Sequence, residues 1–227
     1  MKKSLLSIMT AAAVASGCFT MSTASGDMIF STVGSEASYT AGGDWPIIFS
    51  DTSSLHSNWA LAFTPADNYS LTSIEIGLAW NAGENNADVW LMNDDGGQPG
   101  SAIESFATSN LPSYSDVTQP GARVPLVQLD SQHHSILEAG TQYWVAASAS
   151  TAPSWVSWVT TDSTPVDYTW ARINHLDPSP SWSVVMGQNP GGLRINGDPV
   201  LTPLPGAVVL LGAGMVTSAG LLRRRRQ

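Results

Sequence analysis

The chain has 227 residues, of which 9 are basic and 18 acidic, with nine tryptophans and one cysteine. The bases are Lys2, Lys3, Arg123, Arg172, Arg194 and the terminal run Arg223, Arg224, Arg225, Arg226, so residues 27–198 hold 3 bases against all 18 acids, a formal charge of −15. That balance excludes nucleic acid and anionic membrane surfaces as partners of the central region, because both require clustered Lys or Arg. The single Cys18 excludes a disulfide framework and a cysteine-based metal site.

At the N-terminus, Lys2 and Lys3 precede an apolar stretch over residues 5–15 and then small residues. This is the layout of a secretory signal peptide over residues 1–24, a substrate for signal peptidase. Ser22-Thr23-Ala24 offers a small-x-small cleavage site, with Ala24-Ser25-Gly26 as a near equivalent. A second reading takes Ala15-Ser16-Gly17-Cys18 as a lipobox, which would make Cys18 a lipidated N-terminus. Either way the exported part keeps roughly 175 residues, enough for one core without covalent staples.

Residues 27–200 then read as a single domain of short strands. Long helical periodicity is missing, and alternation of period two recurs instead. Residues 70–80 form the clearest strand, with Ile74, Ile76, Leu78 and Trp80 on one face and Glu75, Gly77 and Ala79 on the other. Residues 81–86 read as a loop and residues 88–92 as a second strand antiparallel to the first. The run Asn93-Asp94-Asp95-Gly96-Gly97-Gln98-Pro99-Gly100 is a turn, since Asn, Asp and Gly tolerate positive φ and proline fixes its own. Later strands are expected over 124–129, 143–148, 155–160, 168–173, 181–186 and 193–196, with Pro125 placing the first of these at an edge or at its start. The sum is an all-β, antiparallel β-sandwich of jelly-roll type. Helix is expected only in the N-terminal signal segment and in the C-terminal tail.

That tail spans residues 201–227. Residues 198–205, with three prolines, read as a stalk before an uncharged run over 206–222 and the four arginines. Seventeen residues make roughly 26 Å of helix, the lower limit for a transmembrane helix. The arginines would hold its end on the cytoplasmic side. An export signal at one end with Pro203-Leu204-Pro205, an apolar span and an arginine cluster at the other resembles the PEP-CTERM sorting signal of Gram-negative bacteria, which carries Pro-Glu-Pro where this chain has Pro-Leu-Pro. The resemblance implies export across the inner membrane, transient membrane anchoring and recognition by an exosortase, a membrane-embedded cysteine transpeptidase. It further implies an outer-surface or extracellular destination in species that make exopolysaccharide and biofilm.

The middle of the chain carries a second resemblance. "FTPADNYSLTSIEIGL", "ADVWLMNDDGGQPGSAIESF", "LEAGTQYWVAAS" and a Trp-rich strand follow one another as in exported choice-of-anchor β-sandwich domains. No catalytic residues come with that likeness.

A search for chemistry in the residues yields little. His133-His134 with Asp130 and Glu138 invites a metal reading, but neighbours in a strand face opposite sides, and neither His-Glu-x-x-His nor a facial-triad spacing is present. There is no Gly-x-Ser-x-Gly elbow, dinucleotide fingerprint or P-loop. Asp94 and Asp95 are the only Ca²⁺ candidates, set against a plain turn, because the EF-hand ligand pattern is absent. Trp155, Trp158 and Trp170 form the candidate sugar platform, since tryptophan faces stack on sugar rings as well as filling cores. The expectation is therefore a non-enzymatic envelope or matrix protein without an obligatory cofactor. The alternative is a carbohydrate-binding module, or a glycoside hydrolase using an unidentified carboxylate pair, acting on exopolysaccharide.

Overall fold

In the computed structural model, which describes residues 26–50, 56–162, 168–174, 181–187 and 189–200, the chain is an all-β protein built from antiparallel sheets. In chain order the first strands are β1 (Asp27–Ser31), β2 (Ser38–Tyr39), β3 (Ala41–Phe49), β4 (His56–Phe63), β5 (Tyr69–Ile76), β6 (Leu78–Gly83), β7 (Asn86–Asp94) and β8 (Pro99–Ser109). A one-turn helix, α1 (Tyr114–Val117), is followed by β9 (Val124–Pro125), β10 (Val127–Asp130), β11 (Ile136–Leu137) and β12 (Tyr143–Ala149). The last strands are β13 (Ser154–Thr161), β14 (Thr169–Asn174), β15 (Ser183–Met186) and β16 (Leu193–Pro199). The expected signal peptide, the transmembrane helix over 206–222, the Pro203-Leu204-Pro205 motif and the arginine cluster lie outside the described residues.

The smaller sheet has the order β1-β16-β5-β10, with β11 also paired to β5. The larger runs β6-β13-β3-β4-β12-β7-β8, with β14 on β4 and β15 on β14. Their inner faces meet in one apolar cluster. Leu71, Ile74, Ile76, Leu129, Leu193 and Ile195 come from the smaller sheet, and Ile47, Leu61, Val89, Leu91, Val145 and Val156 from the larger. Period-two alternation produces this directly. In β12, Tyr143, Val145 and Ala147 face that cluster, while Trp144 and Ala146 join Ala60, Ala62 and Ala171 in a second cluster on the opposite face.

The strand expected over 70–80 is divided at Gly77. Residues on either side keep the predicted alternation, and Ile74, Ile76 and Leu78 are fully buried. However, β5 belongs to the smaller sheet and β6 to the larger. Gly77 N–H donates to Gly192 O and Gly77 O accepts from Val159 N–H, both at 2.9 Å, so the chain passes between sheets without leaving a backbone group unpaired. The Tyr39 ring covers this corner. A Cβ at Gly77 would lie 1.9 Å from the tyrosine oxygen and one at Gly192 2.3 Å from the ring, so a side chain at either position would have to displace Tyr39.

Four other expectations are corrected. The 88–92 strand does not pair with the one before it: β7 lies between β12 and β8, and β6 pairs with β13. The loop over 81–86 shrinks because β6 extends to Gly83 and β7 begins at Asn86. Helix occurs in the middle of the chain, where Ser113 leads into α1 with Asp116 in its first turn and Val117 buried. Asp198 and Pro199, expected in the stalk, are the end of β16. Pro125 does sit before an edge strand, in the two-residue pair β2–β9 that precedes β10.

Candidate functional site

The hairpin between β7 and β8 explains why Asp94 stands where it does. Gly96 and Gly97 have φ of 66° and 87°, the left-handed conformation this turn needs, and Asp95 N–H donates to Gln98 O at 2.8 Å. Asp94 Oδ2 accepts from Gly97 N–H at 2.9 Å. Its Oδ1 accepts from Gln142 Nε2 at 2.7 Å and from Trp144 Nε1 at 2.8 Å. Burial pushes its pKa up, but the Trp144, Gly97 and Gln142 hydrogen bonds outweigh that and bring it below the ordinary aspartate value. Both carboxylate oxygens are thus engaged in holding the turn against β12, while Asp95 is exposed. Among the described residues, no three His, Cys, Asp or Glu side chains are grouped to hold one ion.

His133 and His134 lie in an exposed loop organised by a residue that sequence reasoning passed over, Glu104 of β8. Its carboxylate is buried, 3% exposed, and accepts from Ser131 Oγ, from Gln132 N–H at 2.7 Å and His133 N–H at 3.2 Å, and from Ser135 Oγ at 3.3 Å. Desolvation raises its pKa, but the Gln132, Ser131 and His133 contacts prevail and the net shift is downward. No motif marks Glu104. Its one signal is an acid on the inward parity of an alternating strand, two residues from buried Phe106.

The tryptophans are divided by strand parity. Trp155 is 44% exposed, Trp158 is completely buried and Trp170 is 5% exposed, so the three named as a platform do not share a solvent-facing surface. Trp158 donates to Gly192 O at 3.0 Å and belongs to the core. The aromatic assembly that does form is Trp45, Trp59, Trp158 and Trp170. Trp45 stacks on Trp59 at a centroid distance of 5.3 Å and meets Trp158 edge-on at 5.5 Å, and Trp59 lies 4.9 Å from Trp170.

This row of indoles is buried along its whole length, each ring at most 7% exposed. At its outer end Trp59, Trp170, Arg172, Asn174, Ser183 and Val185 line an open cleft of about 350 Å³. Strand register builds it. Arg172 is paired with Trp59 on one side and with Ser183 on the other, while Trp170 is paired with Leu61 and Val185. These side chains share one face of three adjacent strands. The Arg172 guanidinium lies 5.4 Å from the Trp59 ring centroid, within cation–π range. Trp59 Nε1 donates to Pro46 O at 2.8 Å, whereas the buried Trp170 Nε1 has no partner among the described residues.

No family model matches the chain, and no curated protein matches it either.

Proposed function

We propose that the protein is an exported β module of the envelope or extracellular matrix, delivered by an exosortase-type transpeptidase and not itself an enzyme. The observation that carries this reading is the tail: Pro203-Leu204-Pro205, an uncharged run and four terminal arginines, set against an export signal at the other end. The excess of acids over bases in residues 27–198 suits a soluble surface outside the cell. In this reading the two sheets with their shared apolar cluster form a β-sandwich of jelly-roll type, and the likeness to choice-of-anchor domains supports it. The acids with the most extensive contacts, Asp94 and Glu104, hold loops in place, which favours a scaffold over a reaction centre.

The test is replacement of Arg223, Arg224, Arg225 and Arg226 by alanine, or removal of residues 203–227, in a host with an exosortase. The expected result is accumulation in the wrong fraction with an unprocessed tail. Fractionation identical to the wild type would overturn the sorting reading.

A carbohydrate-binding role is the second reading, favoured by the cleft beside Trp59 and Trp170.

A further inference from the structure

We propose that this cleft is a binding site for an acidic sugar unit, a pyranose ring carrying a carboxylate, with Arg172 as the residue that recognises the charge. The proposal rests on the exopolysaccharide reading above only for the source of such a sugar. The site itself is argued from its own chemistry.

Charge is the first consideration. Between residues 27 and 198 the only Lys or Arg side chains are Arg123, Arg172 and Arg194. Arg123 pairs with Glu36 at 2.5 Å and Arg194 with Glu75 at 3.0 Å. Among the described residues Arg172 forms no ion pair; it lies beside Trp59 in the cleft. In a region of formal charge −15, a guanidinium that lies at an aromatic cleft and meets no carboxylate among the described residues is unusual. A planar fork of donors fits a carboxylate better than it fits a lone hydroxyl.

The remaining lining narrows the class. The amide of Asn174 and the hydroxyl of Ser183 belong to a wall that suits a polyhydroxylated ligand, while Val185 and the two indoles supply apolar surface for the C–H face of a ring. Trp170 is about nineteen-twentieths buried, yet its indole N–H finds no acceptor among the described residues. That N–H is itself closed to solvent, so Trp170 offers the cleft the surface of its ring and not a donor. The volume of about 350 Å³ stands at the small end of ligand pockets, which fits one ring and its substituents and not a long stretch of polymer. Long-range repulsion from the acidic body also favours a short or terminal unit. At about 0.15 M salt that repulsion is screened beyond roughly 8 Å, while the direct Arg172 contact is preserved.

The experiment is calorimetric titration of the purified full chain, held in a polyoxyethylene detergent so that no sugar headgroup competes. The probes are trimers of galacturonate, glucuronate and mannuronate, with the matching neutral trimers as controls, at about 0.15 M salt. At least one uronate trimer should bind about tenfold more tightly than its neutral counterpart. Arg172→Gln should reduce that affinity about tenfold, with Arg172→Lys falling between. Trp170→Phe, which keeps a ring but offers a smaller apolar surface, should weaken binding by a smaller factor. Near-ultraviolet circular dichroism of each variant verifies that the indole cluster is intact, and a variant that fails this is replaced by Ser183→Ala, for which reduced binding is expected. Failure of every uronate to bind, equal binding of acidic and neutral trimers, or unchanged affinity in Arg172→Gln would each overturn the site. Normal sorting together with any of those results would leave the matrix reading standing.

Discussion

Glu104 and Ser131 join the two sheets at their edges. Glu104 lies on β8, the last strand of the larger sheet, and accepts from Ser131 Oγ at 3.1 and 2.9 Å, immediately after β10, the last strand of the smaller one. Three further donors converge on the same carboxylate, so a single buried charge closes that side of the module.

Glu104→Gln keeps the shape and replaces one acceptor oxygen with a donor among groups that already donate. The expected loss is about 1.5–3 kcal/mol, the range for hydrogen bonds to a charged group. The pH dependence has a definite sign. Because the folded pKa is depressed, the unfolded chain binds the proton more readily, and stability falls as pH drops below about 4.3 through the folded value. Urea midpoints against pH should show this acid-side fall flattened in the variant. Parallel profiles would mean that Glu104 is not the group responsible.

Tyr39 should report on the corner at Gly77. Its hydroxyl donates to Val159 O at 2.6 Å, and burial pushes its pKa upward despite an opposing contact from Gly192. Tyr39→Phe should cost about 1 kcal/mol. Gly77→Ala drives a methyl group into the same ring and should cost about 1–3 kcal/mol. The two sites are coupled: in a Tyr39→Ala background the added cost of Gly77→Ala should shrink markedly. Additive losses in chemical denaturation would place the strain elsewhere.

On the outer face of the smaller sheet, Arg194 bonds to Glu75 at 3.0 Å and to Gly34 O, and Asn196 reaches the other Glu75 oxygen at 2.7 Å. Glu75→Ala leaves a largely buried guanidinium with only carbonyl partners, and a loss of about 3 kcal/mol is expected. Replacing both partners, as Glu75→Leu with Arg194→Met, should recover much of it. Melting temperatures of the single and double variants decide between a coupled pair and two independent contributions.

Asp94→Asn should loosen the β7–β8 turn, because the carboxylate that receives Trp144, Gln142 and Gly97 loses its charge and one acceptor oxygen. A loss of about 1–2 kcal/mol and a change in the Trp144 fluorescence environment are expected. With those oxygens engaged, added Ca²⁺ or a chelator should leave the melting temperature unchanged. A Ca²⁺-dependent rise that disappears in Asp94→Asn would reveal an ion site at this turn.

How much of this was readable beforehand varied with the physical origin of each feature. Alternation exposed the inward residues Ile74 and Ile76 of β5 and Leu78 of β6, because period two is a local property of the chain. The centre of the turn expected over Asn93–Gly100 was equally legible, since Gly and Asp declare their backbone needs, although β7 runs on to Asp94 and β8 begins at Pro99. Strand pairing was not: β6 meets β13 across more than seventy positions, and nothing in 78–83 names that partner. The cleft was half visible. Trp170 stood out, but its association with Trp59 and Arg172 depends on β14 lying beside β4, a long-range register that composition does not encode. Trp158 was misplaced for a related reason, since parity separates it from Trp155 without saying which of the two faces inward. Glu104 was hidden because its partners, two serine hydroxyls and two backbone amides, belong to a loop distant in sequence.

The pairing of β1 with β16 sets Asp27 opposite Gly197, so the first and last strands are neighbours. Topologically the fold is nearly a closed loop. A short linker should join residues 26 and 200, with new termini opened at the exposed Gly96-Gly97 tip, to give a circular permutant with the same core. The same adjacency means that a pull applied between the two ends of the fold would peel β1 from β16 one hydrogen bond at a time, a weak mechanical mode. A load carried through one end alone would bypass that seam, so a tether attached only after residue 200 is the arrangement under which this module best resists force.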